Sequence, residues 1–286
     1  LSGVLGIGTP DVFTGEVRNY GWEVALGWRK QIGDFSYGLH GQISYAKNKI
    51  IRKEEGYKPH WYMYASGNTI YRFYGLMADG LYQSNDFNVD GTLRPGLPVS
   101  TYRSNVQPGD VKYVDLNGDG RIDANDCAYQ LYAALPQIYY GFNIELEWRG
   151  FGLNAYFQGM GRSTVTTTLA SIYQPLYGNE RNISEHYMEN RWSPYNTSGH
   201  YPRLTTQSNA NNFAPSSLWT ECGDFLKLRT LSLSYKLPAR LASKIRMREC
   251  CLYLKGMNLF SADRIDILDP EYINTGYPSA RSYQIG

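Results

Sequence analysis

The segment Asp115-Leu-Asn-Gly-Asp-Gly-Arg-Ile-Asp-Ala-Asn-Asp126 sets oxygen-bearing side chains at positions 1, 3, 5, 9 and 12, with glycine at position 6. A hard cation takes about six to eight oxygens, and one short loop can converge on it with that spacing. Asp115, Asn117, Asp119, Asp123 and Asp126 would supply side-chain oxygens, and Arg121, at position 7, its backbone carbonyl. Gly120 permits the tight turn that would wrap the loop round the ion. The expected cofactor is a structural Ca2+. The competing reading is an Asp/Asn/Gly-rich turn that shares the composition without the ion. An EF-hand would need a helix on each side, yet Val111-Lys-Tyr-Val114 reads as extended and position 12 is Asp126 rather than a bidentate Glu. A second opening, Asp86-Phe-Asn-Val-Asp-Gly91, fails at Arg94 and Leu97. One loop without helices is a local staple rather than a calcium-sensing domain.

No catalytic constellation accompanies it, and no enzyme activity is expected. His40, His60, His186 and His200 are scattered, with no His-Glu-x-x-His, no Gly-x-Ser-x-Gly and no phosphate loop. Glu145 and Glu147 lie two apart on one strand face, whereas glycosidase carboxylates flank the scissile bond from opposite sides. Cys127, Cys222, Cys250 and Cys251 lack zinc-ligand spacing and are expected as free thiols. Net charge is +2, and the basic turn Lys244, Arg246, Arg248 has no interleaved aromatics, so no nucleic acid is expected.

The elements that must hold the loop are strands. Aromatics make up 15% of the 286 residues and charged residues only 19%, below the usual quarter. Mean hydropathy is −0.45. No apolar run is long enough for a membrane-spanning helix, but a membrane β-barrel needs none. Leu1-Ser-Gly-Val-Leu-Gly6 has no signal-peptide pattern, so the chain is expected to begin either as a cytosolic protein or inside a longer one.

Period-2 alternation is strong over Trp22–Trp28, Phe35–Tyr45, Tyr140–Trp148 and Phe151–Gln158, and weaker over Leu226–Tyr235, Cys251–Asn258 and Ser279–Ile285. Gln31-Ile-Gly-Asp34 and Arg149-Gly150 read as tight hairpin turns, and Leu237–Arg246 as a compact turn with a brief helix. Residues 47–137 and 161–223 are long connections. Short turns at one end and long loops at the other are the habit of outer-membrane barrels. The apolar faces of the cleanest strands carry no charge, and a basic residue at the bilayer midplane would cost about 2–4 kcal/mol. Tyr140 and Trp148, like Tyr37 and Tyr45, lie eight residues apart, which suits two interfacial girdles. The expected fold is all-β: an antiparallel transmembrane β-barrel, with 47–137 and 161–223 as extracellular loops. The alternative is a secreted, calcium-stabilised β-sandwich that binds glycans, its apolar faces packed inside.

Several ordered motifs then point one way. Asn19-Tyr-Gly-Trp-Glu23, Gly109-Asp-Val-Lys-Tyr-Val-Asp-Leu-Asn-Gly-Asp-Gly-Arg-Ile-Asp123 and Arg191-Trp-Ser-Pro-Tyr-Asn196 with Tyr201-Pro-Arg203 come first. Asp224-Phe-Leu-Lys-Leu-Arg-Thr-Leu-Ser-Leu-Ser-Tyr-Lys-Leu-Pro238, Gly256-Met-Asn-Leu-Phe260, Asp269-Pro-Glu271, Tyr277-Pro278 and Tyr283-Gln-Ile-Gly286 follow. Together they resemble the C-terminal barrel portion of SusC/RagA-like TonB-dependent outer-membrane transporters of Bacteroidota. The resemblance implies residues 1–286 as the C-terminal part of a receptor barrel, about seven of an expected twenty-two strands, with plug and N-terminal domains absent. It further implies active import of large nutrients, oligosaccharides or peptides, across the cell outer membrane. The implied partners are a SusD-like surface lipoprotein that lids the barrel, the TonB complex acting through the plug, and outer-membrane lipid. A dimer of transporter–lipoprotein pairs is expected.

Overall fold

The computed structural model describes residues 14–169, 172–176, 181–272 and 279–286. Two long strands open it, β1 (Glu16–Ile32) and β2 (Phe35–Arg52). The connection after them holds only short strands: β3 (Arg72–Gly75), β4 (Ala78–Leu81), β5 (Val99–Ser100), β6 (Val111–Tyr113), β7 (Arg121–Ile122) and β8 (Ala128–Ala133). Next come β9 (Ile138–Trp148) and β10 (Phe151–Gly161), then a second long connection with β11 (Thr164–Thr166), the short helix α1 (Glu185–Asn190) and β12 (Thr220–Cys222). The chain ends with β13 (Phe225–Lys236), helix α2 (Ala239–Lys244), β14 (Cys251–Asp263) and β15 (Ser282–Ile285).

Seven of these strands form one antiparallel sheet in the order β1-β2-β9-β10-β13-β14-β15. The alternation seen in the sequence is satisfied in register. One row across all seven strands reads Trp28, Leu39, Ile144, Ala155, Leu231, Gly256 and Tyr283. A row on the opposite face reads Arg29, Gly38, Glu145, Asn154, Ser232, Lys255 and Gln284. Because side chains alternate, this pairing makes one face apolar and the other polar, with irregularities where the register shifts at Tyr156/Phe157 and Leu228/Thr230. The two-residue turns join Ile32 to Phe35 and Trp148 to Phe151, and beside them Phe35, Trp148, Phe151 and Tyr235 form an aromatic row.

The apolar face is uncovered. Leu26 is 75% exposed and Trp28 59%, and among the described strand residues of this sheet only Ala155 and Phe225 are buried apolar side chains. Among the described residues every other sheet is two-stranded and lies in the connections. The β-sandwich alternative therefore lacks the second sheet that its inward-facing residues would need. Among the described residues the sheet is also open: β1 and β15 stand at opposite edges, and barrel closure is not seen. No helix among the described residues is long and apolar enough to cross a membrane.

Gly159 is one of the glycines that allow close approach between strands. The Tyr140 ring lies across Gly159 and its hydroxyl donates to the Phe225 carbonyl at 2.9 Å. A Cβ at Gly159 would fall inside both the ring and that carbonyl.

Several boundaries differ from the sequence reading: β1 extends beyond Trp22–Trp28 at both ends, and β14 runs past Asn258 to Asp263. β2 runs to Arg52, so the first long connection starts at 53 rather than 47, because Lys47–Arg52 continue the ladder against Glu16–Tyr20 although their alternation has faded. The final strand starts at Ser282 rather than Ser279. The brief helix expected after Leu237 is α2. Tyr277-Pro278 lies outside the described residues.

Candidate functional site

The acidic loop leaves β6 and re-enters the short parallel pair of β7 with β5, in which Val99↔Arg121 and Ser100↔Ile122 are partners. Its flanks are strands, as expected. Asp115 accepts the Gly118 and Gly120 amides at 2.7 and 2.8 Å. Asn117 accepts the Asp119 amide at 3.0 Å, and Asp119 accepts the Arg121 amide at 2.8 Å. Asp123 caps the Ala124–Asp126 turn through the Asn125 amide at 2.7 Å. Asp126 is wholly buried and takes the Leu116 and Asp123 amides, both at 2.8 Å.

These side chains first build the loop by closing onto its own amides. A carboxylate oxygen has two lone pairs, so acceptor capacity remains for a hard cation. The Gly120 and Ile122 carbonyls accept from Val99 and Thr101, which turns the Arg121 carbonyl the other way by strand alternation. Tyr62, whose hydroxyl donates to the Asn125 carbonyl at 2.8 Å, reports the local field. Burial raises its pKa, and the charges of Asp126, Asp115, Asp119 and Asp123 raise it further. The donor chemistry thus fits calcium, yet among the described residues no three His, Cys, Asp or Glu side chains are gathered as a metal centre.

Five residues before the loop stands a residue that sequence reasoning did not single out. Asp110 is 0% exposed. Its Oδ1 accepts from Arg203 Nε at 2.7 Å, Asn212 Nδ2 at 3.0 Å and Asn209 Nδ2 at 3.2 Å, and its Oδ2 takes the Gln107 amide at 2.9 Å. Around it, Asn211 accepts from Ser100 Oγ at 2.6 Å and donates to the Val111 carbonyl at 2.8 Å. Tyr113 donates to the Asn211 carbonyl at 2.5 Å, and Trp219 Nε1 to the Asn212 carbonyl at 2.8 Å. Apolar packing follows the same seam, with Leu76, Leu81, Val111, Tyr113 and Ile122 from the first connection against Trp192 and Ala214 from the second. The two long connections are therefore one folded cap. Tyr57, Trp61 and Tyr195 stand exposed on it, with aromatic faces open for stacking.

A second buried charge ties the last connection to the polar face of the sheet. Lys227 of β13, 3% exposed, pairs with Asp269 and with Glu271, the latter at 2.8 Å, and Arg229 also pairs with Glu271. Burial pushes the Asp269 and Glu271 carboxyls up, but hydrogen bonds and the Lys227 charge outweigh it and hold both below their ordinary values. On the same face Glu147 accepts from Ser36 at 3.0 Å and lies 3.7 Å from Arg29, while Glu145 accepts from Asn143 at 2.8 Å. The two glutamates are held by polar neighbours on one strand face and do not oppose each other across a cleft. Cys127, Cys222, Cys250 and Cys251 are free thiols.

No protein-family model matches the chain. Among curated proteins it is similar to TonB-dependent receptor P3 of Formosa agariphila, 26% identical over 302 residues, covering 95% of this chain and 28% of that one. TonB-dependent receptor P26 of the same organism is 26% identical over 280 residues, covering 92% of this chain and 26% of that one. The chain thus spans little more than a quarter of the curated relatives it matches. Among solved structures it resembles a chain of the RagAB peptide transporter, with a TM-score of 0.67, 19% identity, and coverage of 99% of this chain and 30% of that one. A chain of the RagAB peptide importer in the open-open state gives a TM-score of 0.69 at 17% identity, with the same coverage. The chain is thus similar over nearly its whole length to a stretch of TonB-dependent receptors, and its fold is that of about 30% of a RagAB transporter chain.

Proposed function

We propose that the chain is part of the wall and cap of a transmembrane β-barrel, residues 1–286 forming the C-terminal part of a receptor's barrel domain. The observation that supports this most directly is the uncovered apolar face running across all seven strands, with a polar face behind it. Lipid would cover the first and an aqueous lumen the second. Open edges at β1 and β15 would pair with further barrel strands, since unpaired backbone is not tolerated in lipid. The cap built from 53–137 and 161–223 would then face outside the cell.

The complete receptor would import large nutrients, oligosaccharides or peptides, under a SusD-like lipoprotein lid, with TonB supplying energy through a plug and two such pairs associating. Peptides are suggested by the RagAB peptide transporter, a chain of which shares the fold. Oligosaccharides come from the exposed Tyr57, Trp61 and Tyr195, whose faces could stack on sugar rings. Calcium held by Asp115, Asn117, Asp119, Asp123, Asp126 and the Arg121 carbonyl would brace the cap and take no part in transport chemistry.

The test uses the full-length receptor in cells, with native cysteines replaced. Asn88 in the cap and Ser243 in α2 are both exposed. A membrane-impermeant maleimide added to intact cells should label Asn88→Cys and leave Ser243→Cys unlabelled until the cells are opened. Equal labelling of both, or recovery of the receptor without detergent, refutes the barrel. Loss of growth on peptide or on oligosaccharide when the gene is deleted identifies the nutrient class.

A further inference from the structure

We propose that the short-turn end of the sheet is an anionic phospholipid site, in which the β13–β14 connection binds the headgroup and a neighbouring apolar trough takes an acyl chain. The proposal rests on the reading of the sheet as a membrane wall. Residues 237–250 carry Arg240, Lys244, Arg246 and Arg248 against the single acid Glu249. Their net charge of +3 exceeds the +2 of the whole chain. Glu249 is already paired with Lys236 at 3.2 Å, so it does not neutralise the other four. Between the cations, Leu241, Ile245 and Met247 are 47%, 53% and 51% exposed, and only Ala242 of α2 is buried.

A solvated turn gains nothing by holding three large apolar side chains in water among four cations. A surface that is apolar below and anionic above satisfies both sets at once. The trough lies at the same end of the sheet, a hollow of about 640 Å³ lined by Phe35, Trp148, Phe151, Leu233, Leu252 and Leu254. Tyr235 and Leu252, which also line it, are one residue removed from the strand ends where the basic connection leaves and returns. Headgroup charge and chain packing are thus offered by adjacent residues. The occupant that matches is a glycerophospholipid of the leaflet at that end, anionic at its head.

The experiment uses the full-length receptor in a neutral detergent, offered equimolar phosphatidylglycerol and phosphatidylcholine of matched chains, with retained lipid counted by native mass spectrometry. The wild type should retain the anionic lipid about tenfold over the zwitterionic one at low salt. Raising the salt should shrink that preference. The variant R240Q/K244Q/R246Q/R248Q, altered only at exposed positions, should lose it while melting like the wild type. Equal retention of the two lipids by the wild type, or an undiminished preference in the variant, overturns the site. Displacement by glycerol phosphate alone, as effective as by the lipid, also overturns it, because it would show a simple anion site. A receptor that stays soluble without detergent refutes the membrane wall itself, which is a separate failure.

Discussion

Replacing Asp110 should open the cap while leaving the sheet intact. The carboxylate is fully buried and takes four hydrogen bonds, three of them from the second connection. In Asp110→Ala the Arg203 guanidinium and the Asn209 and Asn212 amides lose their shared acceptor. Breaking a buried ion pair from one side costs about 3–5 kcal/mol. The Arg203 side chain is 19% exposed and keeps some hydration, so the lower end applies, about 3 kcal/mol. That corresponds to roughly a hundredfold increase in cap opening. Asp110→Asn separates charge from shape. Its amide oxygen can keep the three side-chain donors, but its NH2 then faces the Gln107 amide, donor against donor. The expected cost is about 1–2 kcal/mol, roughly tenfold in opening. Hydrogen–deuterium exchange on the full-length receptor in detergent reads this directly, because exchange follows the local opening constant. Peptides from 76–122 and from 187–219 should speed up together, Ala more than Asn, with 138–161 unchanged as the internal reference. Acceleration confined to 107–113, or equal effects of Ala and Asn, would show that Asp110 is a local turn residue and does not clamp the two connections together.

Three other outcomes are expected. Asp119→Ala, and chelation of the wild type, should each raise exchange in 115–126 and weaken lipoprotein docking without moving the strands; wild-type exchange and docking would refute the calcium brace. The Lys227 ion pairs set a pH window. The Asp269 and Glu271 carboxyls are held below 3.8 and 4.5, so their contribution is fully present above those values and is lost as pH falls through the lower folded ones. Proteolytic accessibility of 264–272 should therefore stay flat from neutral pH down to about pH 5 and rise only below about pH 4; loosening between neutrality and pH 5 would contradict this. Gly159→Val should destabilise the sheet by about 1–3 kcal/mol through overpacking against Tyr140 and the Phe225 carbonyl. That loss is measurable as a lower temperature for the heat-induced gel shift, and an unchanged shift would sink the close-approach account.

The strands and the chemical character of their two faces were legible in the chain alone. Alternation is local: Trp22, Val24, Leu26 and Trp28 must share a face once the backbone is extended, whatever lies beside them. Both hairpin turns and α2 were equally local, and so was the donor spacing of Asp115–Asp126. Boundaries were less legible where polar residues blur the pattern, as in Lys47–Arg52, whose strand state depends on the partner strand. Pairings across the two connections had no local signal. Asp110 meets Arg203 and Asn212, 93 and 102 residues away, and no periodicity relates them. The same holds for Lys227 with Asp269 and for the parallel pair of β5 with β7. A carboxylate in the sequence carries no mark of whether it will be solvated, ion-binding or buried as a clamp. Only the fold decides, because the cost of burying a charge is met by donors that other segments bring to it.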